Sequence, residues 1–269
     1  MNTEKIDARK IAGEEVTWTL LGTLYLRAWD SRQPRSILGD RYAAEALERI
    51  DCDFQALHRR LRPDSNQYLA ALRGRQFDDW SAAFLTRHPD ATVLHLGCGL
   101  DSRMLRLDPE GRLRWYDVDL PHVIDLRRRL YPEHDRYTLI GASVTDEGWL
   151  ARVPADRPVL IVAEGLLPYL SPGDVHRLFD RLTGHFTAGG ELVFDTGAPW
   201  LFRLVKIFTW PLRDGREVER RNPRLICAEQ LPFTANHHII PVRGYRVLYR
   251  LMNAVPIVRN MFRWYRFTL

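Results

Sequence analysis

Cysteine is scarce in this 269-residue chain, with only three copies. Cys52, Cys98 and Cys227 stand far apart, in no CxxC pair and no Cys/His cluster, so neither a disulfide framework nor a zinc site is indicated and no metal is expected. That usage suits a reducing compartment. Long apolar runs are also missing: the strongest, residues 17–26, falls well short of the roughly 20 residues a membrane span needs. The opening MNTEKIDARK mixes acids with bases and leads into no continuous apolar region, so a signal peptide is not expected and a soluble, cytoplasmic chain is. Repeats, low-complexity tracts and Ser/Gly-rich linkers are absent as well. Organisation therefore has to be read from periodicity.

What is present is a 45% hydrophobic share, enough for a substantial core, and one domain with appendages is expected. The net charge of +5 is uneven, because residues 201–269 hold 13 Lys and Arg against 4 acids while the remainder carries a net −4. Residues 1–90 show apolar positions at helical spacing in EEVTWTLLGTLYLRAW, RYAAEALERI and NQYLAALRGRQFDDWSAAFL, with turn signals at Gln33-Pro34 and Arg62-Pro63-Asp64. From residue 91 the pattern changes to short apolar runs at 92–96, 113–118, 137–142, 159–163 and 191–194, alternating with helical stretches near 101–107, 121–130 and 172–186. Near-continuously apolar strands separated by helices predict a doubly wound α/β fold with a mostly parallel sheet. Ser171-Pro172-Gly173-Asp174 marks a helix start by its hydroxyl cap, first-turn proline and acid. The closing FRWYRFTL is a candidate strand returning to the sheet. The expected division is a helical cap over 1–90, a cofactor-binding core over 91–195, and a substrate-side insertion with C-terminal strands over 196–269 that completes the same domain.

The run TVLHLGCGLDSRMLRL takes the first strand into Gly97-Cys98-Gly99, where an open parallel sheet places its ligands. Two glycines there let a ligand approach the main chain, although a purely structural turn looks the same. No GxxxxGK[ST] follows the strand, so phosphate binding of the P-loop kind is not expected. Asp119 lies 20 residues beyond Gly99, at the tip of the second strand, where an acid bonds ribose hydroxyls. A dinucleotide fingerprint would carry a third glycine where this chain has Ser102. A nicotinamide therefore stays open, and a nucleoside without phosphate, S-adenosylmethionine foremost, is the leading ligand. Such a ligand needs a cation for its carboxylate, which Arg73 can supply. Glu164 closes the fourth strand in VLIVAEGLLPYL above the same cleft, with a helix cap or a salt bridge as its plain alternative.

Taken in order, RGRQFDDW, VLHLGCGLDSRMLRL, RWYDVDLPHVIDLRRRL, DEGWL and VAEGLLPYLSPGDV resemble the leucine carboxyl methyltransferase superfamily and its bacterial polyketide O-methyltransferases over roughly residues 65–200. The resemblance implies a class I methyltransferase (Rossmann-like) fold that binds S-adenosylmethionine under an N-terminal helical cap. Carried over residue by residue, it puts Arg73 on the methionine carboxylate, Gly97, Cys98 and Gly99 against the methionine and ribose, and Asp119 with Leu120 at the ribose hydroxyls. Glu164 and Gly165 fall near the amino end. The family's acid beside adenine is replaced here by Ser143, followed by Val144, with Asp146 as a possible substitute. A carboxylate acceptor is already ionised at neutral pH and needs no base, whereas a phenol, with pKa near ~10, profits from one. No catalytic base stands out; His237 and His238 are candidates, with a surface loop pair as the plain alternative. Methylation of a carboxylate or acidic hydroxyl on a small, polyketide-like metabolite is therefore expected.

Tyr169, Trp200, Arg203 and His237 are the candidate substrate contacts. In the basic tail, Arg203, Lys206, Arg243 and Arg246 are interleaved with Trp200, Phe202, Phe208, Trp210 and Tyr245, a set suited to an anionic, flat substrate or to a charged outer face. The competing readings are an NAD(P)-dependent oxidoreductase and a basic module for nucleic acid or a membrane surface. With no recognised nucleic-acid motif, a small acidic or aromatic molecule is the expected partner, with no nucleic acid and no stable membrane insertion. Oligomeric state is not legible.

Overall fold

The computed structural model describes residues 5–7 and 14–269, with the side chains of 14–19 left aside. Part of the expected cap, residues 1–4 and 8–13, lies outside the described residues. The helical cap consists of α1 (Glu14–Ser31), α2 (Arg41–Glu48), α3 (Phe54–Leu61) and the long α4 (Pro63–Arg87). Asp40 caps α2 by accepting the Ala43 N–H at 3.1 Å, and Asp53 caps α3 through the Ala56 N–H at 2.9 Å. Two short segments, Ile6–Asp7 and Ile50–Asp51, pair in parallel beside these helices.

The sheet comprises β1 (Thr92–Leu96), β2 (Arg114–Asp119), β3 (Tyr137–Gly141), β4 (Val159–Ala163), β5 (Gly190–Gly197), β6 (Ile226–Pro232) and β7 (Phe262–Thr268). In space they run β3-β2-β1-β4-β5-β7-β6. The first five are parallel, and β7 inserts antiparallel between β5 and β6. Helices α5 (Arg103–Leu107), α6 (Pro121–Leu130) and α7 (Pro172–His185) make the crossovers, and α7 starts at Ser171 Oγ, which accepts the Asp174 N–H at 3.1 Å. Successive residues of β1 and β4 feed opposite layers: Leu94, Leu96, Ile161 and Ala163 pack with Val175, Leu178 and Phe179 of α7. Val93, Leu160 and Val162 pack instead with Phe77 and Phe84 of α4. Burial on both faces explains why these strands read as unbroken apolar runs.

Strand order reverses between β1 and β4, and at such a switch point the carboxyl ends of two adjacent strands open a crevice. The chain beyond β5 was the least regular in sequence. It forms α8 (Pro199–Leu204), α9 (Arg216–Arg221), β6, α10 (Arg243–Ala254) and α11 (Pro256–Arg259) before β7 returns, as expected of FRWYRFTL. Strand β6 was not expected: it is an edge strand of mixed exposure, bulged between Cys227 and Glu229, and it carries Glu229, Gln230 and Pro232. Among the described residues no helix is long and apolar enough to cross a membrane.

Candidate active site

The chain leaves β1 through Gly97-Cys98-Gly99, with both glycines in the left-handed region at φ +59° and +50°. An added Cβ at Gly97 would sit 2.8 Å from Leu166 Cδ1, so a side chain there would have to displace Leu166 as well as strain the backbone. Two groups hold this turn. In front, Asp119 Oδ2 accepts the Gly99 N–H at 2.7 Å while Oδ1 accepts the Leu120 N–H at 2.7 Å. Behind, one arm of Arg127 donates to the carbonyls of Gly99 and Asp101 at 2.9 and 2.8 Å. Its other arm pairs with Asp117 and with the Tyr137 hydroxyl. Burial alone would raise the Asp117 carboxyl, but the Arg127 charge and bonds from His95 and Tyr137 bring it down to about 2. Burial pushes Asp119 above the usual carboxylate range, against the pull of its two backbone donors.

Over this turn lies a cavity of about 140 Å³, walled by Leu20, Thr23, Leu24 and Arg27 of α1, Arg73 of α4, the glycine turn, and Glu164, Gly165 and Tyr169. Its floor is an ionic cluster. Glu164 Oε1 accepts from Arg27 at 2.8 Å and from Arg73 Nε at 2.9 Å, while Oε2 accepts from Arg103 at 2.5 Å. Arg73 Nη1 reaches Asp195 Oδ2 at 2.9 Å, and Asp195 Oδ1 takes the Gly165 N–H at 2.6 Å. Asp101 is paired with Arg27, Arg103 and Arg106, and Arg106 continues to Asp78 and Asp40. Four guanidiniums thus meet five carboxylates in one network. Burial would raise Glu164, yet Arg27, Arg103 and Arg73 hold it well below its ordinary range. Burial would lower Arg73, and Asp195 with Glu164 holds it above its ordinary value instead. Two of its three nitrogens are spent this way; Nη2 has no acceptor among the described residues and stands at the cavity wall.

The fold therefore gathers Arg73, Gly97, Cys98, Gly99, Glu164, Gly165 and Tyr169 around one cavity, while Asp119 and Leu120 lie outside its lining, joined to it through the Gly99 N–H. Burial holds the Cys98 thiol well above its ordinary pKa, so it is a wall and not a nucleophile. Ser143 lies in the loop after β3, its hydroxyl 2.7 Å from Thr145 Oγ1 and its N–H on Asp146 Oδ2 at 3.2 Å. Val144 turns its side chain into the core, and its carbonyl accepts from Trp149 Nε1 at 3.3 Å.

The candidate substrate residues separate. Tyr169 is 41% exposed and meets Phe208 edge-on at 5.2 Å, and Phe208 lies 5.0 Å from Phe202 of α8. Trp200 and Arg203, also on α8, open onto a different cavity of about 490 Å³. His237 lines neither of these two cavities, and its Nδ1 donates to the Thr234 carbonyl at 3.0 Å. The interleaved tail set is divided too: Arg246 bonds the Ile240 and Pro241 carbonyls, Trp210 packs in the core, and Tyr245 lies on Tyr68. Sequence reasoning missed Arg27, His95, Asp101, Arg103, Arg127 and Asp195. A signal was present for Arg27, which shares a helical stripe with Leu20 and Leu24, and for Arg127, which follows Val123 by one turn on the buried side of α6.

Three comparisons bear on this site. The family model described as leucine carboxyl methyltransferase matches residues 20–183. The chain is 43% identical over 265 residues to the tetracenomycin polyketide synthesis O-methyltransferase TcmP of Streptomyces glaucescens, covering 93% of this chain and 95% of the relative. It is 38% identical over 259 residues to the S-adenosyl-L-methionine-dependent methyltransferase dpfgK of Gibberella zeae, covering 86% and 87%. Among solved structures, the N-methyltransferase NodS of Bradyrhizobium japonicum, in complex with S-adenosyl-L-homocysteine, superposes with TM-score 0.51 at 15% identity over 81% of this chain and 98% of that one. A DUF574 family protein of Streptomyces avermitilis gives 0.54 at 15% identity over 90% and 96%. At such identities the structures speak for the fold alone.

Proposed function

Because the chain belongs to the leucine carboxyl methyltransferase family and is an S-adenosylmethionine-dependent methyltransferase, we propose that it methylates a carboxylate, or an acidic hydroxyl, of a small polyketide-like metabolite. The residues present fit the cofactor. Arg73 Nη2 is an unspent donor for the methionine carboxylate, and the turn at Gly97 and Gly99 leaves the main chain open. Each Asp119 oxygen has spent one lone pair on a backbone N–H and keeps one for a ribose hydroxyl. On this reading Leu120 and the exposed Ser143 loop take the adenine side, with Val144 packed in the core behind them. Glu164 reaches the amino end only with the acceptor capacity its three guanidiniums leave, and its larger role is to aim Arg73. Pockets that enclose whole small molecules run to roughly 300–1,000 Å³. The cavity of about 140 Å³ therefore encloses the amino-acid end, with the nucleoside along the open rim.

Bound, the cofactor supplies a methyl group on a sulfonium that carries its own leaving group. The protein's share is to orient, to exclude water and to match charge. With five carboxylates to four guanidiniums, the cluster under the cavity favours a ligand of net positive charge. The acceptor class rests on one observation: among the described residues the cavity wall presents no free carboxylate and no exposed imidazole. Its acids, Asp101 and Glu164, are bound by guanidiniums, and its one imidazole, His95, is buried with Nδ1 3.4 Å from Asp117 and Nε2 3.9 Å from Asp101. An acceptor ionised at neutral pH needs nothing more. The relative named for polyketide synthesis supports oxygen as the atom methylated.

Labelled-methyl transfer to a panel of aromatic acids and phenols, run from pH 6 to 9, tests this reading. Acids should be methylated at a rate nearly independent of pH. Transfer confined to phenols, rising towards their pKa near ~10, would overturn it.

A further inference from the structure

The cavity beside α8 stands apart from the cofactor site in its charge. Arg203, Arg213 and Arg263 line it together with Trp200, Ile257 and Asn260, in a volume of about 490 Å³. None of the three guanidiniums meets a carboxylate among the described residues. Arg263 donates to Asn260 Oδ1 at 3.2 Å and to the Arg213 carbonyl, while Glu217 takes the Arg213 backbone N–H at 3.0 Å and not its side chain. Residues 198–212 and 230–269 contain no Asp or Glu, and the acids nearest in sequence, Asp214 and Glu217, form no ion pair with these three guanidiniums among the described residues. Three positive charges around one hollow repel each other unless an anion or solvent intervenes. Trp200 adds a flat apolar wall that is 37% exposed.

We infer that this cavity is a binding site for a planar aromatic anion, occupied while the cofactor cavity is also filled. It rests on the methyltransferase reading in one respect: the group it holds differs from the group methylated. Methyl transfer to a carboxylate cancels its charge, and arginines clamped on that carboxylate would lose their hold and blunt its nucleophilicity. The cavity also shares no lining residue with the cavity over the glycine turn, and Phe202 of α8 is linked to Tyr169 only through Phe208, in ring steps of 5.0 and 5.2 Å. The ligand class is thus an aromatic acid whose second anionic group survives the reaction. Trp200 stacks on its rings, and the guanidiniums of Arg203, Arg213 and Arg263 face that group.

Naphthalene-2-sulfonate, flat and permanently charged, is a suitable probe, with naphthalene-2-methanol as its neutral partner. Calorimetric titration into protein saturated with S-adenosylhomocysteine should show the sulfonate binding about tenfold or more tightly than the alcohol. The double variant R203Q/R213Q should lose about that factor, while its affinity for S-adenosylhomocysteine stays unchanged. Both side chains are exposed, so the variant keeps its fold, which its thermal melt verifies. No sulfonate binding, equal binding of the alcohol, equal binding by the variant, or competition with S-adenosylhomocysteine would each overturn the site. Should wild type fail to bind S-adenosylhomocysteine, the cofactor assignment falls instead. The sulfonate, alcohol and variant titrations, run without it, still decide the anion site.

Discussion

Arg103 and Arg203 are the same residue in opposite surroundings. Arg103 is fully buried beneath the cavity over the glycine turn and shares Asp78, Asp101 and Glu164 with three other guanidiniums. Arg203 is exposed at the mouth of the second cavity with no carboxylate among the described residues. Where counter-charges are built in, guanidiniums become scaffold: they fix geometry and leave Arg73 Nη2 for a ligand. Where none is built in, the ligand has to bring the charge. Burying an ion without its partner is far more costly than leaving it in water, so the two regions should respond to substitution on different scales.

The largest effect is expected at Glu164. Glu164→Ala removes the carboxylate that Arg27, Arg73 and Arg103 share and leaves buried positive charge uncompensated, at a cost of about 3–5 kcal/mol. Urea unfolding reads this directly, and a loss below about 1 kcal/mol would mean that the three guanidiniums re-pair with Asp101 and Asp195.

Next come substitutions that touch the ligand more than the fold. Arg73→Lys keeps the charge but loses the planar fork that reaches Glu164, Asp195 and the cavity at once. Asp119→Ala removes the clamp on the Gly99 and Leu120 N–H groups. Each is expected to weaken S-adenosylhomocysteine binding by about 1–3 kcal/mol in calorimetry. Unchanged affinity in both variants would remove these residues from the site.

Acid should act on the buried cluster before the exposed arginines matter. Asp117, at about 2, and Glu164, held low, are both depressed below their unfolded values. Their stabilisation is therefore complete above the ordinary carboxylate range of roughly 4 and is lost as pH falls through the folded values. Burial raises Asp119 and Asp195 in the opposite sense, so these two gain protons first and soften binding before the fold gives way. S-adenosylhomocysteine affinity should accordingly fall at a higher pH than the urea midpoint does. Coincident losses would contradict this order.

The sequence carried the sheet well because β1 and β4 are apolar on both faces, and Thr92–Leu96 and Val159–Ala163 appear with their expected bounds. The edge strand β6 escaped, since an edge is half solvated and polar residues such as Glu229 and Gln230 look like loop. At the site, Gly97, Gly99, Asp119 and Glu164 were legible because backbone conformation and strand tips confine them to few positions. The ionic cluster was not, because its members lie on α1, α4, α5 and β5, at the cap of α2 and in the turns after β1 and β4, and meet only through the topology. Arg127 shows the difficulty: within Arg127-Arg128-Arg129 composition suggests a solvated run, yet it is 1% exposed and staples the glycine turn while Arg128 and Arg129 face outward.

The smallest expected effect sharpens the contrast most. Arg203→Gln removes a full charge, as would the replacement of Arg103, but it breaks no ion pair among the described residues and strips solvent from nothing. Substitutions at exposed positions without a partner ordinarily change stability by no more than about 0.5 kcal/mol. Relief from Arg213 and Arg263 should offset even that, and added salt should shrink it further by screening the repulsion. Urea unfolding of Arg203→Gln beside Glu164→Ala, at low and high salt, makes the comparison. If Arg203→Gln destabilises the fold by several kcal/mol, then Arg203 is scaffold like Arg103, and its cavity is not a place left charged for a ligand.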